Sequence, residues 1–182
     1  MPQLTTRSGE ALVVRTLRAG DATRLQRFNA GLSERSRTFF LPHAYDDATV
    51  ARMIERAENG GDLTYLVLAG EEMVAYFFLW EVREPIPVLG IGITDAYQNQ
   101  GLGRQLMEIL IADARRLERD GIDLTTMLTN DRAFALYQKV GFQYIENVDN
   151  ITGDGVVVTE RWMFLPLKPG VRPVPKIHRP PE

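Results

Sequence analysis

A short stretch with two glycines, Gln98 to Gly103 (QNQGLG), carries residue types that can hold a phosphate group. It follows the apolar run Val88 to Thr94 and precedes a segment with the apolar spacing of an amphipathic helix. Gly101 and Gly103 have no Cβ, so a ligand can approach the main chain closely. The first turn of a helix adds unpaired N–H donors and partial positive charge. We therefore expect this corner to bind phosphate, with a diphosphate as the ligand.

Two common phosphate-binding motifs do not fit this corner. A nucleotide P-loop needs Lys followed by Ser or Thr after its second glycine, whereas Gly103 is followed by Arg104 and Gln105. A dinucleotide fingerprint needs a third Gly or Ala three residues after Gly103, where Leu106 stands. It should also open a repeating strand–helix–strand pattern, which the order of the predicted elements does not show. The corner belongs to neither arrangement.

The composition excludes several other classes of function. The chain has 182 residues, 45% hydrophobic residues and a net charge of −3, so it has the make-up of one globular domain without a basic nucleic-acid footprint. It has no cysteine, which excludes disulfides and thiolate chemistry, and its two histidines, His43 and His178, cannot form a metal cluster. The longest apolar run, Met73 to Trp80, is too short to cross a bilayer. We expect a cytoplasmic protein with no metal and no nucleic-acid or membrane partner.

The spacing of apolar residues indicates the elements that position the corner. Strand-like runs cover residues 12–17, 63–69, 73–82, 88–94, 122–128, 143–148 and 156–165. Helical runs begin near Asp21, at Asp46 or Asp47, at Gly103 and at Arg132, and we expect Asp21 to cap the first helix and Asp46 or Asp47 to cap the second. The fifth strand should run parallel to the fourth because a helix of crossover length joins them. These elements predict an α/β fold with a central mixed, mostly antiparallel sheet of about seven strands and helices on both faces.

The C-terminal residues are expected to form a separate tail. Six of the ten prolines fall between Pro166 and Glu182, and such a segment cannot be regular helix or sheet. We therefore divide the chain into a domain at residues 1–165 and a Pro-rich tail at residues 166–182. A solvated, extended tail is the simplest interpretation. Arg172, Lys176 and Arg179 could instead brace the neighbouring subunit of a homodimer.

Two separate motifs make the chain resemble the GNAT superfamily of N-acetyltransferases over roughly residues 12–165. The first is the Gln-x-x-Gly-x-Gly pattern at Gln98, Gly101 and Gly103. The second joins Asn130 to the segment LYQKVGF at residues 136–142. The order of strands and helices agrees with both motifs. The resemblance implies a GNAT-like acyl-CoA N-acyltransferase fold and acetyl-CoA as the acetyl donor.

The resemblance also implies which residues hold the coenzyme. Its pantetheine arm is expected to hydrogen-bond to Ile91 and Ile93 like an extra strand. Asn130 is expected to contact this arm and, by its place before a helix, to cap that helix. Arginine is also common in the family at the position of Gln98, so glutamine there keeps a donor and loses a charge. The diphosphate is expected on the amides of the corner, which are those of Gln98, Asn99, Gln100, Gly101, Leu102, Gly103 and Arg104.

Tyr137 and Glu81 are the expected catalytic residues. The departing thiolate needs a proton, which a phenol within hydrogen-bond reach can donate, and the family motif gives this role to Tyr137. Its helical spacing with neighbouring apolar residues also fits simple packing. An alkylammonium acceptor with a pKa of about 10 must lose a proton before it attacks. Glu81, late in the third strand, is the expected base, with Glu84 and Asp95 as weaker candidates; each also fits a solvated carboxylate.

The expected reaction is transfer of an acetyl group from acetyl-CoA to a primary amine by direct attack on the thioester. A small-molecule amine is the first choice of acceptor, and a protein lysine or N-terminus is the second. A non-catalytic, acyl-CoA-binding regulatory module would keep the glycine corner without a working base. A purely structural interaction domain would leave the corner empty. The segment SERSRTFFLPHAYDD, where acceptor specificity should lie, does not choose between these alternatives.

Overall fold

A computed structural model describes residues 3–175 and shows one open sheet with helices on both faces. The eight strands are β1 Gln3–Thr5, β2 Ala11–Thr16, β3 Leu63–Ala69, β4 Glu72–Trp80, β5 Val88–Ile93, β6 Gly121–Met127, β7 Gln143–Ile151 and β8 Val157–Pro166. The five α-helices are α1 Ala22–Gly31, α2 Glu34–Phe39, α3 Asp47–Glu58, α4 Leu102–Arg116 and α5 Asp131–Val140. The predicted α/β fold with a mixed, mostly antiparallel sheet is confirmed.

The two central strands of the sheet separate along their length. The strand order is β1-β2-β3-β4-β5-β6-β8-β7, and only β5 and β6 run parallel, as the crossover helix predicted. β5 pairs with β4 from Val88 to Ile93. Within residues 3–175, however, β5 pairs with β6 only at Val88 and Asp123. The strands are therefore joined at one end and leave an opening toward Ile93 and Met127, which we call the wedge.

Each face of the sheet has its own hydrophobic core. One core joins α4 and α5 to the sheet residues Phe77, Leu89 and Ile122, and the other joins α1 and α3 to Tyr76 and Phe78. The buried residues of α4 recur at helical spacing, which is why its sequence folds as an amphipathic helix against the sheet. They are Leu102, Leu106, Met107, Leu110, Ile111 and Ala114. The helices packed on the two faces hold the strands on either side of the wedge in place.

Two elements were not predicted from the sequence. The sheet has eight strands rather than about seven because β1 is also present. In this three-residue strand only Leu4 is buried, so it carries no detectable alternation. α2 was not predicted either, and it forms within the segment SERSRTFFLPHAYDD between the first two predicted helices. Ser33 caps α2 by accepting a hydrogen bond from the backbone N–H of Ser36 at 3.2 Å.

The aspartates at two helix starts behave differently. Asp46 caps α3, because its carboxylate accepts a hydrogen bond from the N–H of Thr49 at 3.0 Å. Asp21 also precedes its helix, but its side chain does not cap it. The carboxylate of Asp21 instead accepts hydrogen bonds from Arg15 and Arg24. The expected cap is therefore confirmed at α3 and wrong at α1.

The C-terminal boundary falls inside the sheet. Pro166 is the last residue of β8, and it pairs with Gly121 at the beginning of β6. Lys176, His178 and Arg179 lie outside the described residues, so the division into domain and tail stays a prediction. In the part of the chain that the structure describes, no helix is both long and apolar enough to cross a membrane.

Candidate active site

The glycine corner presents main-chain N–H groups at the start of α4. Gly101 is the N-cap residue, with the left-handed φ of +81°, and Asn99 also has a positive φ of +63°. Glycine adopts this conformation without steric cost, and asparagine tolerates it better than most residues. No side chain caps α4, and within residues 3–175 the amides from Asn99 to Gly103 donate no hydrogen bond. These N–H groups, at the positive end of a 15-residue helix, can therefore bind an anion.

Gly103 has a second, structural reason to be glycine. It lies inside α4, where its backbone is helical and needs no left-handed conformation. A Cβ at this position would lie 3.1 Å from Cδ2 of Leu136 on α5. The missing side chain thus allows α4 and α5 to approach each other beside the corner. This contact was not predicted from the sequence, where Gly103 was expected only to let a ligand approach the main chain.

Gln98 uses its side chain inside the protein. Its amide nitrogen donates to the carbonyl of Ile93 at 3.1 Å and to Oγ of Ser36 at 3.0 Å. Its amide oxygen accepts a hydrogen bond from Arg132 at 2.8 Å, and Arg132 also donates to Oδ1 of Asn99 at 2.8 Å. Gln98 therefore links β5, α2 and α5 at the corner.

Arg132 supplies a positive charge beside Gln98. Glutamine at residue 98 lacks the charge that an arginine would have there, and Arg132 was not predicted from the sequence as a second source of that charge. One signal was present, because Arg132 lies in the first turn of α5, where the helix dipole favours acidic residues. Its two hydrogen bonds to the corner are a reason for a cation at this unfavourable position.

The other basic residues near the corner have different surroundings. The sequence leaves two interpretations of the Arg104 side chain, a charge partner for the coenzyme's phosphates or a solvated helix residue. This side chain is 69% exposed and pairs with Glu108 at 2.9 Å on the surface of α4. Arg7, in the turn between β1 and β2, lies against Gly101, and its backbone N–H donates to the carbonyl of Gln100 at 3.0 Å. The N-terminal turn therefore braces the corner from outside.

β5 is shaped to leave its backbone accessible from the wedge. Ile91 and Ile93 pack against the core that contains α4. Gly90 and Gly92 face the other way, where the rings of Phe78 and Phe40 occupy the space of a Cβ. Beyond Val88, the edge of β5 toward β6 has no strand partner among the described residues. An extended amide-containing ligand can use such an edge as a further strand would.

α5 holds the two residues of the second motif. Asn130 is its N-cap, and its side chain accepts a hydrogen bond from the N–H of Ala133 at 3.4 Å, so the expected cap is confirmed. Tyr137 is partly buried, and its ring lies 5.9 Å from that of Phe142. Burial, and secondarily the charge of Glu160, raises the pKa of Tyr137 to about 12. The phenol is therefore protonated at neutral pH and can act as a proton donor.

Glu81, the expected base, lies at the joined end of the wedge. It follows Trp80, the partner of Val88, and its N–H donates to Asp62 at 2.8 Å. Ile93 lies five residues beyond Val88 on β5, and this separation corresponds to roughly 16 Å of extended strand. No observation tests Glu81 directly, so its role stays a prediction, but this separation places its backbone far from the open end.

The two weaker candidates also have structural surroundings. Asp95 accepts hydrogen bonds from the N–H and hydroxyl of Ser33 and from the hydroxyl of Ser36. These bonds, with the hydroxyl of Ser33 contributing most, lower the pKa of Asp95 to about 2. Asp95 thus holds the start of α2 and is a weak proton acceptor. Glu84 is exposed in the turn after β4, near Glu81.

The loop between α2 and α3 borders the wedge on the face of α1 and α3. His43 is fully buried there, and its Nε2 lies 3.2 Å from the hydroxyl of Tyr76. Burial lowers the pKa of His43 to about 4, so the ring is neutral at pH 7. The loop also accepts a hydrogen bond at the carbonyl of Leu41 from the N–H of Gly153, in the β7–β8 turn, at 2.8 Å. This contact joins the loop to the β7–β8 hairpin.

Comparison with known proteins gives a consistent family. Residues 29–142 match the model of the Acetyltransferase (GNAT) family. The chain is 29% identical to an uncharacterised N-acetyltransferase, YvbK, of Bacillus subtilis over 56% of its own length and 62% of that protein. It is 33% identical to the [ribosomal protein bS18]-alanine N-acetyltransferase of Escherichia coli over 47% of its length and 60% of that protein. The aligned regions therefore span less than two thirds of these relatives.

Solved structures agree on the fold. The GNAT domain of S. lividans PAT superposes with a TM-score of 0.76 at 17% identity, covering 91% of this chain and 96% of that one. The structure of yncA, a putative acetyltransferase of Salmonella typhimurium determined with its cofactor acetyl-CoA, superposes with a TM-score of 0.69 at 16% identity, covering 90% and 98%. At these identities the likeness concerns the fold alone.

Proposed function

This chain belongs to the Acetyltransferase (GNAT) family, and from that premise we propose that it transfers an acetyl group from acetyl-CoA to a small primary amine. The observation that carries the proposal is the position of the glycine corner beside the open end of the wedge. The corner offers N–H groups and the guanidinium of Arg132 to a diphosphate. The unpaired edge of β5 offers a strand-like partner to the amides of the pantetheine arm.

The diphosphate and the pantetheine arm of the coenzyme would each find suitable hydrogen-bonding groups in this arrangement. Residues 98–104 would hold the diphosphate, with contact through main-chain N–H groups from Asn99 onward. The hydrogen bonds that Gln98 makes within the protein leave its side chain a supporting role. Ile91 and Ile93 would pair with the pantetheine arm, whose thioester then lies near the end of β5. Asn130, which already caps α5, would contact the same arm.

The chemistry follows from protonation states. A neutral amine attacks the thioester carbonyl and forms a tetrahedral intermediate, whose oxyanion a main-chain N–H near Ile91 to Ile93 would stabilise. The carbon–sulfur bond then breaks, and Tyr137 donates its proton to the leaving thiolate. The extra proton on the nitrogen of the new amide passes to the Tyr137 phenolate and restores the phenol. Coenzyme A and an N-acetyl product result.

A protein acceptor is the second candidate. The relative named as a ribosomal-protein alanine N-acetyltransferase supports it, since 33% identity joins it to this chain. We expect the amine to approach from the face of the sheet that packs against α1 and α3, which we call the acceptor face. We favour a small amine because the loop at Leu41 and the β7–β8 turn meet on this face and narrow the approach to the sheet. A polypeptide acceptor would need this contact to open.

An assay of thiol release tests the function directly. The chain has no cysteine, so every free thiol detected comes from coenzyme A. We expect acetyl-CoA to bind by calorimetry and at least one small amine from a panel to release thiol. Peptides with free N-termini and lysines form the comparison set. Coenzyme binding without turnover of any amine would leave a regulatory module as the better description, and no binding heat at all would refute the site.

A further inference from the structure

A buried polar cluster lies on the acceptor face of the sheet. Glu160 on β8 is 9% exposed and Asn150 on β7 is 7% exposed. The side-chain nitrogen of Asn150 donates to Oε2 of Glu160 at 2.8 Å and to Oγ1 of Thr125 on β6 at 3.1 Å. Burying a carboxylate costs free energy unless hydrogen bonds compensate for the lost hydration, and the bond from Asn150 compensates for only a small part of that cost. The cluster is therefore a site for a further donor.

A second observation indicates the kind of donor. Oδ1 of Asn150 is buried and has no hydrogen-bond partner among residues 3–175. Buried acceptors without partners are rare in folded proteins and call for an explanation. A carboxylate next to an unpaired amide oxygen accepts hydrogen bonds and favours positive charge. An alkylammonium group, with three N–H donors and one positive charge, satisfies both acceptors.

Strand register places this cluster at the open end of the wedge. Glu160 pairs with Met127, which lies four residues beyond Asp123 on β6. Gly92 lies four residues beyond Val88, the partner of Asp123, on β5. Four residues of strand span about 13 Å, so Glu160 and Gly92 are level along the two separating strands. This is the level at which the thioester is expected.

The cluster approaches the wedge from the side opposite Tyr137. Thr125 faces Trp162 across the β6–β8 pair, and Glu160 lies on the same face of β8 as Trp162. Met163 and Leu165 occupy the other face, in the core with α4 and α5. Glu160 is nevertheless near enough to Tyr137 for its charge to act on the phenol. The two groups thus flank the end of β6.

We propose that Glu160 binds the ammonium group of the acceptor and takes its proton, with Asn150 as a second acceptor for the same group. The inference rests on the proposed function and adds that the acceptor is a cationic alkylamine. One N–H bond of the ammonium breaks, its electron pair stays on nitrogen, and the proton passes to the Glu160 carboxylate. The neutral amine attacks the thioester, and Glu160 returns its proton to solvent.

The test compares Glu160→Gln with Glu146→Gln, which changes an exposed carboxylate on the neighbouring strand β7, as a matched control. Both variants are assayed with an alkylamine that the wild type turns over and with hydroxylamine, which is neutral at pH 7.5 and needs no deprotonation. General acid–base groups typically contribute about 100-fold or more to the rate. We expect Glu160→Gln to lose about that factor in kcat/KM for the alkylamine, to stay within about threefold for hydroxylamine, and to bind acetyl-CoA as the wild type does. Glu146→Gln should retain both rates, and Glu81→Gln is assayed beside them as the competing candidate for the base.

Other outcomes overturn the inference. Unchanged alkylamine turnover in Glu160→Gln, or equal losses with both nucleophiles, removes the base role, and a selective alkylamine loss in Glu81→Gln returns the role to Glu81. Asn150→Ala provides a second variant should Glu160→Gln unfold. We expect a rise of about tenfold or more in the KM for the alkylamine with an unchanged KM for acetyl-CoA, in line with the loss of a hydrogen bond to a charged group. An unchanged amine KM would contradict the site.

The proposed function is judged separately, on wild-type protein. If the wild type releases no thiol with any amine, the acetyltransferase assignment fails before any variant is made. If the wild type turns over amines and Glu160→Gln behaves like it, only the role of Glu160 fails. The two failures therefore give different results.

Discussion

Among single side chains, Tyr137 has a proposed role, proton donor to the leaving thiolate, that depends directly on its protonation state. Its pKa of about 12 keeps the phenol protonated over the pH range in which the folded protein would be assayed. The same residue also packs against Phe142 in the core with α4. Packing fixes the ring, and the raised pKa preserves the proton that the leaving thiolate requires.

We expect Tyr137→Phe to lower kcat by about 100-fold, within the usual contribution of a general acid, while the affinity for acetyl-CoA stays within twofold. Steady-state kinetics and calorimetry measure the two quantities. Tyr144→Phe is the control, because the Tyr144 hydroxyl bonds only to Asn147 on the exposed surface of β7 among the described residues. A Tyr137→Phe enzyme as fast as wild type across pH would remove the acid role.

Among the elements, α5 connects the coenzyme corner to the reacting end of the wedge. Arg132 in its first turn bonds to Gln98 and Asn99, and Tyr137 follows in its second turn. Leu136 between them fills the space left by Gly103. One helix thus sets the distance between the proposed diphosphate site and the proposed proton donor.

Arg132→Ala should weaken acetyl-CoA binding by about tenfold or more, since hydrogen bonds to charged groups contribute roughly 1.5–3 kcal/mol. The difference in affinity between the wild type and Arg132→Ala should be smaller at high salt, because the interaction of Arg132 with phosphate would be electrostatic. Calorimetry at two salt concentrations measures both effects. Arg115→Ala, which removes an exposed arginine at the other end of α4, should leave the affinity unchanged. Equal affinities for the two variants would contradict a phosphate role for Arg132.

Over the whole molecule, local patterns were readable from the sequence and long-range arrangement was not. Apolar spacing predicted α3, α4 and α5 with their sheet strands, and the crossover length of the helix between them predicted that β5 and β6 run parallel. Alternation indicates which side of a strand is buried, but it does not identify the neighbouring strand. β8 lies between β6 and β7, and only this insertion brings Glu160 beside Thr125 and Asn150. Glu81 was predicted as the base from its place late in the third predicted strand, opposite the beginning of the fourth, and that role stays a prediction.

The contact between the β7–β8 turn and the α2–α3 loop closes the molecule on its acceptor face. A Cβ at Gly153 would overlap the backbone of His43. Gly153→Ala should therefore destabilise the fold by about 1–3 kcal/mol, the usual cost of overpacking, and raise the amine KM more than the acetyl-CoA KM. Thermal unfolding and steady-state kinetics measure these effects. Gly20→Ala is the control, because its Cβ would meet open space; equal melting temperatures for the two variants would exclude a tight contact.

Among the described residues, β5 and β6 pair at one position, and this gap in the sheet determines what a bound coenzyme would do to the fold. Strand edges are usually covered, because exposed edges invite association with other chains. Here the interruption lies at the centre of the sheet, and the amides of the pantetheine arm are the groups proposed to span it. Bound in this way, the coenzyme would act as a further strand as well as a reactant, and the sheet would be continuous only in the complex. Cellular coenzyme concentration would thereby set the fraction of molecules with an unbroken sheet, through the mass-action coupling of binding to stability.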